Sequence, residues 1–272
     1  MEKIEFIKMH GLGNDFVIID RRNHGIEIDT NIIKKLSDRR TGAGCDQLIT
    51  IEKALSADHD VFINFFNPTG DKVEACGNGT RCVARFLFEE FNTDNLSLKS
   101  MAGILKANKI SETLVSVNLG KFSHQWNEIP LSKEMDTLNI PIKIENLSNG
   151  VAVNIGNPHI VFFTNNINIC KLDKLGPKLE NHEFFPNKTN VEIIEIINHK
   201  TIKMKVWERG AGITPACGSG ACAAVYASML KKYTGDNVEV QVERGTMQIK
   251  IINNEAILIG PTEESYRGYI EV

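Results

Sequence analysis

The sequence predicts an α+β protein of two pseudo-symmetric lobes, each a curved, mainly antiparallel β-sheet wrapped around one long central helix. Three observations lead there: a weak internal repeat, strand-like runs between the repeated segments, and one long helical pattern in each half of the 272 residues.

The repeat is clearest at Ala75-Cys76-Gly77-Asn78-Gly79, which recurs as Ala216-Cys217-Gly218-Ser219-Gly220, an offset of 141 residues from Cys76 to Cys217. A second cysteine, Cys82 or Cys222, follows each copy. A polar residue closing an apolar run, Asn67 or Glu208, lies nine residues before each first cysteine. Further upstream, Gly13-Asn14-Asp15-Phe16-Val17-Ile18 resembles Gly156-Asn157-Pro158-His159-Ile160-Val161, and Gln47-Leu48-Ile49 and Asn190-Val191-Glu192 each open a strand-like run. Four matches in one order at nearly constant spacing imply two copies of one supersecondary unit.

Taken in chain order, apolar alternation predicts strands at 16–20, 47–52, 61–67, 96–100 and 114–120, then at 151–156, 191–197, 201–208, 238–243 and 247–252. The first long helix follows Cys76 and carries Val83, Phe86, Leu87 and Phe91 on one face. The second follows Cys217: Cys222, Val225, Tyr226, Met229 and Leu230 recur at helical spacing, with lysines in the last turns and Gly235 beyond. Residues 121–150 are poorly patterned and carry Pro130 and Pro141, so the lobe boundary is expected near their start. The expected domains are 1–120 with 262–272 returning to it, and 121–261; the closing Tyr269-Ile270-Glu271-Val272 is the returning strand.

Composition narrows the function. The chain is 42% hydrophobic and 24% charged, with a net charge of −3 and a pI near 6.2, which disfavours nucleic acid or an anionic membrane as partner. No run approaches the ~18 apolar residues of a membrane span. Met1 to Phe6 lack the pattern of a secretory signal, so a cytoplasmic protein is expected. In that compartment the six cysteines are free thiols rather than disulfides, and Cys45, Cys82, Cys170 and Cys222 are read as small buried apolar residues. Zinc is disfavoured because Cys76/Cys82 and Cys217/Cys222 lack the short Cys-x-x-Cys spacing, so no metal is expected.

Cys76 and Cys217 stand apart because each precedes a Gly-x-Gly that opens a helix. The first helical N–H groups have no intrahelical partner and carry partial positive charge, so they can bind a carboxylate and favour a thiolate. Two such thiols suit inversion at an α-carbon, where one face loses a proton and the other gains one. Glu208 and His159 are candidates for tuning thiol protonation, and Arg209 for gripping a carboxylate in a bidentate fork. Asn14, Gln47, Asn67, Asn78, Asn157 and Asn190 could read ammonium and carboxylate groups without adding charge. Taken singly, those asparagines would be turn residues and His159 a structural histidine.

Together these motifs resemble the diaminopimelate epimerase family along nearly the whole chain. Lys8-Met9-His10-Gly11-Leu12-Gly13-Asn14-Asp15-Phe16 is similar to its opening motif, and Thr41-Gly42-Ala43-Gly44-Cys45-Asp46-Gln47 to its second. The segments from Asn67 to Arg81, Gly156 to His159, Thr189 to Val191, Trp207 to Gly212 and Ala216 to Cys222 resemble later blocks. The resemblance implies interconversion of LL- and meso-2,6-diaminopimelate, for lysine and peptidoglycan precursors, with no cofactor and no metal. It implies Cys76 and Cys217 as the acid–base pair, with His159 and Glu208 in support. It also implies substrate contacts at Asn14, Gln47, Asn67, Gly77, Asn78, Asn157, Asn190, Glu208, Arg209, Gly218 and Ser219, and a homodimer with Tyr266 at its contact. Asn67-Pro68-Thr69-Gly70-Asp71 differs from the family's commoner Asn-x-Asp-Gly-Ser at two places, and Ile213 stands where glutamate is frequent. The competing readings are another two-thiol amino-acid racemase of the same fold, such as a proline racemase, a phenazine-type isomerase, a non-catalytic amino-acid-binding protein, and a cysteine hydrolase.

Overall fold

The computed structural model describes residues 3–23, 25–74 and 76–271. Ala75 of the repeated segment, Val272 of the expected closing strand, and Met1, Glu2 and His24 lie outside the described residues. The chain divides into two units, Met1–Val117 with Gly260–Val272, and Asn118–Ile259.

In the first unit the chain runs β1 (Lys3–Gly11), β2 (Asn14–Asp20), α1 (Thr30–Ser37), β3 (Gln47–Lys53), β4 (Val61–Phe66), β5 (Lys72–Val73), α2 (Gly77–Phe91), β6 (Asn95–Ser100) and β7 (Gly103–Lys109). β8 (Leu114–Lys121) then carries it into the second unit. There it forms β9 (Ile140–Ile144), β10 (Leu147–Asn154), β11 (Pro158–Phe163), α3 (Leu172–Glu180), β12 (Asn190–Asn198) and β13 (Thr201–Glu208). β14 (Gly212–Ile213), α4 (Gly218–Leu230), β15 (Asn237–Val242), β16 (Gly245–Ile252) and β17 (Glu255–Pro261) follow, and β18 (Glu263–Glu271) belongs to the first unit again.

The two sheets have one topology. In the first, the order is β18-β1-β2-β3-β4-β6-β7, with β2–β3 and β4–β6 parallel and the other neighbours antiparallel. In the second, β9-β10-β11-β12-β13-β15-β16 repeats it, with β11–β12 and β13–β15 parallel. The fold is α+β, and each lobe is a mainly antiparallel sheet with one long central helix.

Both central helices are built to be buried. α4 is packed with small residues, and Gly220 through Ser228 are all buried, so it is apolar on every side rather than amphipathic. The expected face ending at Met229 and Leu230 is therefore only part of what it buries, and those two are half-buried. In α2 the buried face is Val83, Ala84, Leu87 and Phe88, whereas Phe86 is half-buried and Phe91 is 39% exposed. Strands Phe16–Ile19 and Leu48–Ile51 are buried without interruption, as expected of parallel neighbours covered on both faces. The poorly patterned stretch after Lys121 is also core: Ile129, Leu131, Ile140 and Ile142 pack with Leu147, Ile160 and Leu175. No helix among the described residues is long and apolar enough to cross a membrane.

Candidate active site

In the first unit Cys76 precedes the first residue of α2, and its carbonyl accepts from Thr80 N at 2.8 Å, so it is the residue that starts the helix. Its Sγ lies 4.0 Å from Asn14 Oδ1, and Asn78 Nδ2 donates to the same oxygen at 3.1 Å. Asn14 thus joins the half-buried thiol to the first turn of α2. Asp46 holds Asn14 in place, accepting from Asn14 Nδ2 at 2.9 Å and from Asp15 N at 3.0 Å. Arg39 bridges Asp15 and Asp46 at 2.7 Å each, and the buried Lys8 pairs with Asp15 at 2.6 Å. Burial would raise the Asp15 carboxyl, but those cations outweigh it and hold it well below the usual carboxylate range.

Gln47 and Asn67 face each other across β3 and the end of β4, with Gln47 Nε2 3.5 Å from Asn67 Oδ1. The departing Pro68–Asp71 turn closes on itself: Gly70 N donates to Asn67 O, Asn67 N to Asp71 O, and Thr69 Oγ1 to Asp71 Oδ2. Gly70 takes φ +96, which favours glycine.

In the second unit strand register assembles the site. His159 pairs with Asn190 across β11 and β12, and Val191 pairs with Trp207 across β12 and β13. Because residues two apart share a face, His159, Asn190, Glu192 and Glu208 all project to one side. α4 packs against β10 to β13. His159 is fully buried, with Nε2 2.8 Å from Asn157 Oδ1 and Nδ1 2.7 Å from Glu192 Oε1. Asn190 accepts Arg209 N at 2.9 Å and donates to Pro158 O at 2.9 Å. The exposed Arg209 guanidinium donates only weakly to Asn187 O, at 3.3 Å.

Cys217 caps α4: its Sγ accepts from Gly220 N at 3.4 Å and lies 3.5 Å from Ser219 Oγ. The cap was expected to lower this thiol's pKa. Instead burial pushes it well above its ordinary value, and the neighbouring Glu208 and Glu192 carboxylates push the same way, outweighing the helix N–H. Glu208 is itself raised by burial, partly offset by hydrogen bonds from Thr214 Oγ1 and from the Cys217 thiol. The Cys217 thiol and the Glu208 carboxyl are thus hydrogen-bonded neighbours, and burial disfavours the charged form of each. Cys82, pushed up to about 12 by burial, has no such arrangement and is core.

The structure therefore gathers Asn14, Cys76, Gly77 and Asn78 around the start of α2. It gathers Asn157, His159, Asn190, Glu208, Cys217, Gly218 and Ser219 around that of α4. Tyr266 stands elsewhere, on β18, 46% exposed, with its hydroxyl donating to Ala43 O at 3.1 Å. Sequence reasoning missed four supporting residues: Asp46, Thr214, Glu180 and Glu192. Glu180, on α3, accepts from Trp207 Nε1 at 2.7 Å and Gly210 N at 3.0 Å, so it grips the turn bearing Glu208 and Arg209. Among the described residues no group of three or more His, Cys, Asp or Glu is placed to hold a metal ion.

Comparison with known proteins shows the family. The diaminopimelate epimerase family model matches residues 6–125 and 151–263. A diaminopimelate epimerase of Pelagibacter ubique is 42% identical over 267 residues, covering 96% of each chain. One from a Wolbachia of Drosophila simulans is 44% identical, covering 92% of this chain and 93% of its own. Among solved structures, a PhzF-family phenazine biosynthesis protein of Bacillus anthracis superposes with a TM-score of 0.72 at 16% identity over the whole of both chains. A hydroxyproline epimerase of Agrobacterium vitis gives 0.70 at 12% identity, covering 98% of this chain and 92% of its own. At such identities these two share the fold alone. The sequence matches go further, and the chain belongs to the diaminopimelate epimerase family.

Proposed function

We propose that this protein interconverts LL- and meso-2,6-diaminopimelate, supplying lysine and peptidoglycan precursors, with Cys76 and Cys217 as its acid–base pair and no cofactor. The observation that carries this reading is that both thiols start equivalent helices in a duplicated unit, Cys76 beside Asn14 and Cys217 beside Glu208. One sulfur removes the α-proton as thiolate while the other, as thiol, returns a proton to the opposite face. The helix N–H groups hold the α-carboxylate as carbanionic charge spreads onto it. Glu208 draws the proton from Cys217 when that sulfur must act as base, and His159 supports the transfer. Asn14, Gln47, Asn67, Gly77, Asn78, Asn157, Asn190, Arg209, Gly218 and Ser219 bind the two amino-acid heads.

The test incubates protein with LL-diaminopimelate in D₂O after metal chelation. Meso product with deuterium at the inverted α-carbon is expected, and Cys76→Ser and Cys217→Ser should each cost about 10²–10⁴-fold or more in turnover. Turnover of proline instead would move the assignment to another racemase of this fold. Activity that disappears on chelation would remove the cofactor-independent mechanism. We further propose a cytoplasmic homodimer with the exposed Tyr266 in its contact, which Tyr266→Ala should weaken in sedimentation equilibrium.

A further inference from the structure

The two units fill one packing position in opposite ways. In the first, Gly79 of α2 faces an apolar trio: a Cβ there would stand 2.7 Å from Ile49 Cδ1, 2.9 Å from Phe65 Cε1 and 3.3 Å from Phe16 Cε1. In the second, the equivalent Gly220 faces a carboxylate, and a Cβ would stand 2.7 Å from Glu192 Oε1. The strand registers correspond as well. Phe16 pairs with Gln47 and Ile49 with Phe65, just as His159 pairs with Asn190 and Glu192 with Val206. His159 and Glu192 therefore occupy the places that Phe16 and Ile49 fill with hydrocarbon.

This topology closes around an apolar pair, so the architecture does not require a buried imidazole and carboxylate. Burying ionisable groups is costly, and replacing such a pair with apolar side chains is often neutral or stabilising. His159 and Glu192 are nonetheless both fully buried at 2.7 Å, and Glu192 Oε2 has no hydrogen-bond partner among the described residues. A pair kept at that cost, beside the cap of Cys217, has a use. We infer that Glu192 is the positioning residue of His159: it accepts Nδ1–H and fixes the ring's orientation, so that Nε2, which faces Asn157 Oδ1, is the nitrogen that exchanges the proton. This rests on the reading that His159 supports proton transfer. The ionisable groups within electrostatic reach of Glu192 are His159 from β11, Glu208 from β13 and Cys217 at the start of α4.

The test is ¹⁵N NMR of the histidine rings in the full chain, with the His159 signals identified by their loss in His159→Asn. The expected wild-type spectrum has a slowly exchanging Nδ1–H at His159, which Glu192→Gln shifts or broadens. In turnover, Glu192→Gln should lower kcat at least tenfold, up to the ~10²–10⁴-fold worth of an acid–base group, with KM within about twofold. Added to His159→Asn, it should cost nothing more. The double substitution His159→Phe with Glu192→Ile, which installs the first unit's pair, should fold with an undiminished thermal midpoint and be as slow as His159→Asn. A wild-type His159 ring without Nδ1–H, an unchanged kcat in Glu192→Gln, or costs that add would overturn the inference. If wild type fails to epimerise diaminopimelate, the functional reading fails, while the ring spectrum still decides the role of Glu192. If Glu192→Gln does not fold, the wild-type spectrum and the double substitution decide it.

Discussion

At the half-buried Glu208, desolvation and charge are in conflict, and pH exposes the conflict. Its carboxyl is raised chiefly by burial, and Glu192 is raised for the same reason. A group whose folded pKa exceeds its unfolded value gives its full stabilisation below the unfolded value, here about 4.5, and loses it as pH rises through the folded one. The fold should therefore lose stability as pH rises above about 4.5 on account of these two groups. Glu208→Gln removes one contribution, so its urea midpoint should exceed the wild type's by more at pH 8 than at pH 4.5, while turnover falls. An equal difference at both pH values would show that the carboxyl is not held against ionisation. The helix-start position of the two cysteines was legible because glycines and duplication mark it. The sign of the Cys217 shift was not legible, because it depends on how completely the strands and α4 bury the thiol. Glu192 was hidden for a related reason: a glutamate on a strand reads as solvent-facing until register places it against His159.

At the scale of elements, a helix's first turn must lie close to its sheet, and glycine makes the approach possible. Gly79→Ala would press a methyl group into Ile49, Phe65 and Phe16, an overpacking that should cost about 1–3 kcal/mol in urea titration. Gly220→Ala would press the Glu192 carboxyl instead, so activity should suffer more than stability. α3 is a second such support. Gly176 lies against the Trp207 indole, where a Cβ would come within 2.3 Å of Cδ2, and Glu180 one turn on accepts the indole N–H. Glu180→Ala leaves Trp207 Nε1 and Gly210 N without that acceptor, at about 1–3 kcal/mol for each group that stays buried. It should also raise KM through the loosened Arg209. Trp207 emission, read in a Trp126→Phe background, should shift to longer wavelength, and an unmoved spectrum would show that Glu180 does not hold the ring. Ten of the strands and the two central helices were readable from period, with ends off by a few residues, whereas β1, β7, β9, β11 and β17 were not read. α3 was not, since Gly176 and Pro177 inside nine residues break the helical signal that packing on Trp207 restores. β18 was seen only in its last residues, because it is exposed nearly throughout and is defined by pairing with β1.

At the scale of the whole molecule, the second unit is a continuous insertion in the first, whose sheet is completed by both ends of the chain. Lys3 pairs with Glu271, so the first and last described residues lie side by side on neighbouring strands. Residues 118–259 contain their own sheet, the core around Ile160, Leu175 and Ile193, and the His159–Glu192 pair. Expressed alone, that fragment should fold cooperatively and keep the histidine Nδ1–H signal, because none of those contacts needs the rest of the chain. It should not epimerise, because Cys76 lies in the first unit. A circular permutant joining Glu271 to Lys3 by a short glycine-rich linker, opened in the exposed turn at Asn253-Asn254, should fold and turn over, since the join spans paired neighbours. A fragment that stays unfolded, in circular dichroism and urea titration, would mean that the second lobe's core is completed by the first. The repeat would then record ancestry without independence. A folded and inactive fragment beside an active permutant would show that the second lobe carries its own stability while turnover needs the first.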